Sequence, residues 1–226
     1  MQGKSQDKAE KEQGEIAAER SYKGLNTSER KALRRTQLMK AGIDVMGSKG
    51  YASCSCKMIC NQAGLTERYF YQSFANREAL LQTIYQEHSE RIMALISEAV
   101  MNGETDQLAL RVELGLRAFY QDMRENPKIA RILYIETSGV SPEMDDLVAS
   151  TTHGFAIMFI ELLQHYYPDK HLGVDDAELV AIGLVGGVNA ILVHWLLSNF
   201  EMPLESVLQS ASFMFKSVSA SLLERG

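Results

Sequence analysis

Proline is scarce in this chain, with four in 226 residues, at positions 127, 142, 168 and 203. The long stretches between them read with helical spacing, and no hairpin dipeptide separates two alternating apolar runs, which excludes an all-β chain. Cysteine is equally rare. Cys54, Cys56 and Cys60 are the only three, so a disulfide scaffold is excluded. No apolar stretch of membrane-spanning length is free of polar residues, since Val180–Leu197 is broken by Asn189 and His194, and no hydrophobic leader follows Met1. A cytoplasmic protein with no membrane partner is the expectation. Metal-ligand spacing, a glycine-rich phosphate loop and a nucleophile motif are all missing, which points away from an enzyme and from any cofactor or metal.

Bases are outnumbered by acids, 23 to 29, for a net charge of −6. The average hides a division: residues 21–80 hold ten Lys or Arg against four Asp or Glu, and residues 81–226 hold nine against twenty. A basic segment joined to an acidic one suits a protein that meets phosphates at one end only. With 46% hydrophobic residues the chain is long enough for a sizeable core.

The basic segment contains the most informative stretch. Cys56, Ile59, Cys60 and Ala63 form an apolar stripe of one short helix, Gly64 supplies the stop, and Thr66 opens a second with its hydroxyl as the expected cap. On that second helix Phe70 and Phe74 share one face, leaving Glu67, Arg68, Tyr69 and Gln72 outside. Two short helices about a glycine turn, the second polar outside, form a helix-turn-helix suited to the major groove of DNA. A preceding helix is expected from a Thr27 or Ser28 cap to about Ser48, with Arg30, Lys31, Arg34 and Arg35 near its start as either a solvated face or phosphate contacts.

At these residues the sequence resembles the TetR family of bacterial regulators. Gly50-Tyr51, Ile59, Ala63-Gly64-Leu65-Thr66, Phe70-Tyr71, Phe74 and Arg77-Glu78-Ala79-Leu80-Leu81 carry the resemblance. It implies an all-α fold: a three-helix DNA-binding head over residues 27–75, then a helical-bundle ligand-binding and dimerisation domain over 76–226, with residues 1–26 a disordered or fraying tail. Within that tail Arg20 and Lys23 are candidates for a minor-groove arm. By resemblance Glu67, Arg68 and Tyr69 face bases, Thr66, Tyr71, Gln72 and Arg77 face phosphates, and Lys57 either. The implied partners are a palindromic operator in double-stranded DNA, a small-molecule effector and a second copy of the chain. The implied activity is that of a homodimeric repressor released by its effector.

Downstream, helices are expected from an Asn76 cap to Asn102-Gly103, from Asp106 to Glu125, from Lys128 to Glu136, from Ser141-Pro142 to Tyr167-Pro168, from Asp175 to Phe200 and from Pro203 to Leu223. The first would run roughly 38 Å at 1.5 Å per residue, enough to join the head to the bundle. Phe119, Tyr120, Tyr134, His153, Phe155, Met158, Phe159, Asn189, His194 and Trp195 are candidate effector-pocket residues, although each taken singly reads first as core. Gly183, Gly186 and Gly187 would each cost about 1 kcal/mol relative to Ala in a helix unless backbones approach there. That suits the dimer interface the resemblance implies, or a pocket wall. Clustered cysteines admit a redox switch, but their apolar positions favour packing. A helical interaction module without DNA binding is the remaining alternative.

Overall fold

A computed structural model describes residues 26–103, 105, 107–169 and 174–224, and every regular element among them is a helix. The expected tail, with Arg20 and Lys23, lies outside the described residues. Helices α1 (Thr27–Lys49), α2 (Cys56–Ala63) and α3 (Glu67–Ser73) form the head.

Helix α1 is capped one residue earlier than expected, by Asn26. Its side chain accepts from the Glu29 N–H at 2.9 Å while the Glu29 carboxylate accepts from the Asn26 N–H at 2.7 Å. Only Asn26 has an acid three residues on, since Thr27 and Ser28 are followed at that spacing by Arg30 and Lys31. Ser55 caps α2, accepting from the Met58 N–H at 3.2 Å. Gly64 then takes left-handed backbone at φ 65°, and the Leu65 N–H reaches back to the Cys60 carbonyl at 2.9 Å. The expected Thr66 hydroxyl cap is not formed. Instead the Thr66 carbonyl accepts from the Tyr69 N–H at 2.9 Å, and the hydroxyl remains exposed. Beneath α3, Phe70 and Phe74 pack 5.8 Å apart in a core with Leu38, Met46, Ile59 and Cys60.

Asn76 starts the long helix α4 (Arg77–Met101), accepting from the Ala79 N–H at 2.7 Å. It packs along α5 (Leu108–Glu125). Asp106, the expected start of α5, lies outside the described residues. Asn126-Pro127 breaks the chain into α6 (Pro127–Arg131), which passes directly into a π-helical turn, Ile132–Glu136. Ser141 caps α7 (Pro142–Tyr166) by accepting from the Met144 N–H at 3.1 Å. Helix α8 (Val174–Leu197) packs on α7, and α9 (Leu204–Glu224) on α5 and α8. Helix α8 stops short of the expected Phe200 because Asn199 and Phe200 both take positive φ, which folds the Phe200 ring onto Trp195 at 4.9 Å. By length and composition, Pro142–Tyr166 and Ala177–Leu197 are apolar enough to cross a membrane, although Asn189 and His194 interrupt the second. Both pack against neighbouring helices of the bundle, with Ala156, Phe159, Leu163, Leu184, Leu192 and Trp195 buried.

Cys54 and Cys60 are buried in the head and Cys56 is half-buried beside them. Burial pushes the Cys54 thiol up from 9.0 to about 11, against the opposing pull of Arg77. The folded head thus holds a proton that the unfolded chain releases above about pH 9, so this contribution is complete below pH 9 and is lost as pH rises towards 11. The difference in thermal midpoint between the parent and Cys54→Ala should shrink between pH 8.5 and about 10.5. A difference constant over that range would contradict the burial of a neutral thiol.

Candidate functional site

At roughly 100° per residue, Arg68 and Gln72 lie nearly opposite the buried Phe70, and both are exposed, with the exposed Glu67 and Tyr71 together on one flank and Tyr69 on the other. Tyr71 is 57% exposed. The Cys56 thiol beside it raises the pKa of its hydroxyl, a group that is a donor at neutral pH in any case. Lys57 projects to solvent from α2. The only half-buried member of the α3 outer face is Tyr69, whose ring is covered by the Arg34 guanidinium at 4.3 Å.

Two further arginines act within the head. Arg35 lies over the Phe74 ring at 4.5 Å and donates to the Ser73 carbonyl at 3.2 Å, pinning the end of α3 to α1. Arg77 lies over the Tyr51 ring at 4.0 Å and donates to the Cys54 carbonyl just before α2. A guanidinium has five N–H donors, so neither contact exhausts it.

The head is locked to the bundle through α6 and its π turn. The Glu136 carboxylate accepts from the Tyr51 N–H at 2.7 Å and from Arg131 Nε at 2.8 Å. Gly50 stands against it at φ 84°, and a Cβ there would meet Glu136 Oε2 at 3.1 Å. Lys128 pairs with Asp44 at 2.7 Å, and Gly47 lets α1 lie on the Lys128 backbone. Ser141 at the start of α7 donates to Glu78 in the first turn of α4. Sequence reasoning missed Glu136 because its partner Tyr51 lies more than eighty residues away. Two residues before it, Tyr134 faces a cavity.

That cavity holds about 330 Å³ between α4, α5, α7, α8 and α9. Of the ten expected pocket residues it is lined by Phe119, Tyr134, Phe155, Met158, Phe159 and Asn189. The other four lie elsewhere. Tyr120 is fully buried and donates to the Val188 carbonyl at 3.0 Å, and Trp195 is fully buried and donates to the Met202 carbonyl at 2.8 Å. His153 sits at the surface against Glu178 at 3.0 Å, and His194 is exposed on α8. Ile96, Val100, Val112 and Leu116 are among the other residues of the wall. The available signal was Gly115, alone in α5, where a Cβ would meet Val100 at 2.9 Å. No group of three or more His, Cys, Asp or Glu among the described residues is placed to hold a metal.

The three glycines of α8 separate. A Cβ on Gly187 would lie 2.3 Å from Met214 Cε, so the tip of Met214 on α9 of the same chain fills the space a side chain here would take. Gly183 and Gly186 face open space, in a stripe with Leu179, Ala190, His194 and Leu197. Leu179 is 70% exposed and Leu197 66%, and Phe213 on the neighbouring α9 is 71% exposed.

Residues 38–84 match the family model described as bacterial regulatory proteins, tetR family. The HTH-type transcriptional activator FasR of Mycolicibacterium smegmatis is 22% identical over 172 residues, which span 76% of this chain and 75% of that protein. The HTH-type transcriptional regulator UidR of Escherichia coli is 30% identical over 66 residues, 29% of this chain and 34% of its own length. Among solved structures, the fatty acid degradation regulator FadR from Bacillus halodurans aligns with a TM-score of 0.70 at 16% identity, covering 80% of this chain and 93% of that one. FadR from Bacillus subtilis, solved in complex with stearoyl-CoA, aligns with a TM-score of 0.68 at 16% identity, covering 79% and 96%. The matched head, the relatives named as helix-turn-helix transcriptional regulators and the shared helical fold agree: residues 38–84 are a DNA-binding head of the TetR family, and the chain shares its helical fold with solved transcriptional regulators.

Proposed function

We propose that the chain is an effector-controlled, homodimeric repressor that binds a palindromic operator in the cytoplasm. Residues 27–75 read DNA, and residues 76–226 bind the effector and pair the two copies. The observation that carries this reading is the polar outer face of α3, held rigid over buried Phe70 and Phe74. Arg68 supplies a bidentate contact to guanine, Gln72 one to adenine or a phosphate, and Thr66, Tyr71 and Lys57 meet the backbone. Glu67 accepts from a cytosine amino group or orients Arg68. Arg77 adds positive charge at the edge of this face while holding Tyr51.

A single head covers few base pairs, so specificity needs two at fixed separation. The open stripe of α8 and the exposed Phe213 of α9 supply an apolar surface for a second copy, with Gly183 and Gly186 allowing close approach. The cavity takes an effector with an apolar body, a reading supported by the stearoyl-CoA complex of the B. subtilis neighbour. Ligand preference for one head separation lowers operator affinity by the difference in its binding to the two states. Tyr134 on the cavity wall and Glu136 at the head share one π turn, which gives this shift a short route. Packing accounts for the buried cysteines, and the raised pKa of Cys54 disfavours a thiol switch.

In gel-shift titrations at one salt concentration, Arg68→Ala should weaken operator binding by roughly 1–3 kcal/mol and relax preference at one base position per half-site. Tyr71→Phe should weaken all sequences alike, and an Arg68→Ala protein with unchanged affinity and rank order would refute the base-reading role. Phe213→Glu should sediment as a monomer of unchanged helical content and lose most operator affinity, whereas a dimer would move the interface elsewhere. Glu136→Ala should speed hydrogen exchange at the Tyr51 amide and across α2 and α3, with the cavity helices unchanged. Equal protection in both proteins would remove Glu136 from the coupling.

A further inference from the structure

The cavity constrains the chemistry of its ligand. Its wall is apolar except for Ser97, Glu161 and His165, which are exposed at the mouth, and Tyr134 and Asn189, which are set further in. The Tyr134 ring packs edge-on against Phe119 at 6.0 Å, and neither its hydroxyl nor the Asn189 amide makes a hydrogen bond to another described residue. Tyr120, one position from Phe119, differs: its hydroxyl is satisfied by the Val188 carbonyl. Burial drives the Tyr134 pKa far up, so its hydroxyl is a neutral donor and acceptor. Polar groups set in an apolar wall without partners are what a ligand hydrogen-bonding group would satisfy.

No lysine or arginine lines the cavity among the described residues. Arg111, at the start of α5, is not among the lining residues and donates from Nε and Nη1 to the carbonyls of Val100, Met101 and Thr105. Lys216 belongs to a neighbouring cleft across the shared Val112 and Phe215 walls. The mouth instead carries the Glu161 carboxylate, which repels an anionic head group. An ionised carboxylate drawn into such a wall would lose its hydration without a cation in return. At about 330 Å³ the cavity is also at the small end of ligand sites, which run roughly 300–1,000 Å³.

We infer that the cavity selects an uncharged, elongated apolar molecule carrying a hydroxyl or carbonyl group, bound by the Tyr134 hydroxyl and the Asn189 amide, and discriminates against anionic amphiphiles, acyl-CoA thioesters included. This rests on the ligand-responsive reading proposed above and specifies its ligand class. Calorimetric titration of the full chain at pH 8 with 1-decanol, decanoate, decanoyl-CoA and decyltrimethylammonium holds the chain length constant and varies only the head. Decanol should bind at least about tenfold more tightly than either anion. Tyr134→Phe and Asn189→Leu should each weaken decanol by about three- to tenfold, one hydrogen bond's worth, with cooperative thermal unfolding retained. Tightest binding by an anionic or the cationic probe, or decanol affinity unmoved in both variants, overturns the neutral-ligand inference while leaving the cavity a ligand site. Failure of all four probes to bind a cooperatively folded protein overturns the inference and the ligand-responsive reading together.

Discussion

The Glu136 carboxylate is the point on which the two halves of the molecule meet. It is only 11% exposed, and its two oxygens are divided between the Tyr51 N–H of the head and Arg131 of its own segment. Hydrogen bonds to a charged group stabilise by roughly 1.5–3 kcal/mol each, and a buried carboxylate without them would cost more than that. The contact requires Gly50, where positive φ and the absence of a side chain bring the backbone to the carboxylate. Tyr51, fixed by its backbone, supplies the ring over which Arg77 lies, and Arg77 in turn holds the Cys54 carbonyl at the entrance to α2. The orientation of the helix-turn-helix relative to the bundle is therefore set by a short chain of contacts running from Arg131 through Glu136 and Tyr51 to Arg77.

The same segment borders the cavity. A π turn spaces Tyr134 and Glu136 so that one faces the apolar interior and the other the head. A ligand that moves Tyr134 moves a backbone already fastened at Tyr51, and packed interiors answer such shifts by switching between arrangements rather than by yielding gradually. Helix α4 makes the second connection, beginning at Arg77 beneath the head and ending at Val100 and Met101 on the cavity wall. The cavity and the outer face of α3 are thus joined through two elements that meet at Arg77.

Local features were the legible ones. The Gly64 stop, the Asn76 and Ser141 caps and the Phe70–Phe74 face follow from hydrogen bonds and spacing within a few residues, and each appears where expected. Errors of detail had local causes too: Asn26 displaced Thr27 and Ser28 because only it had Glu29 at capping-box distance. What depended on packing between distant helices was not legible. Trp195 and Tyr120 look like ligand-binding aromatics in sequence, yet both donate to carbonyls inside the core. Gly187 and Gly183 lie four residues apart on one helix, but Met214 separates their roles by packing against the first alone. Helical periodicity shows which residues share a face, and it carries no information on which neighbour covers that face.

The proposed repressor needs two α3 faces presented together to one duplex. Selection of bound sequences from a random duplex library by the full-length protein tests this for an operator of any sequence. The expected result is an inverted repeat whose half-site centres lie about one helical turn apart, roughly 10 base pairs, or a small multiple of it. Enrichment of a single unrepeated half-site, or of no sequence at a salt concentration that permits binding, would contradict it.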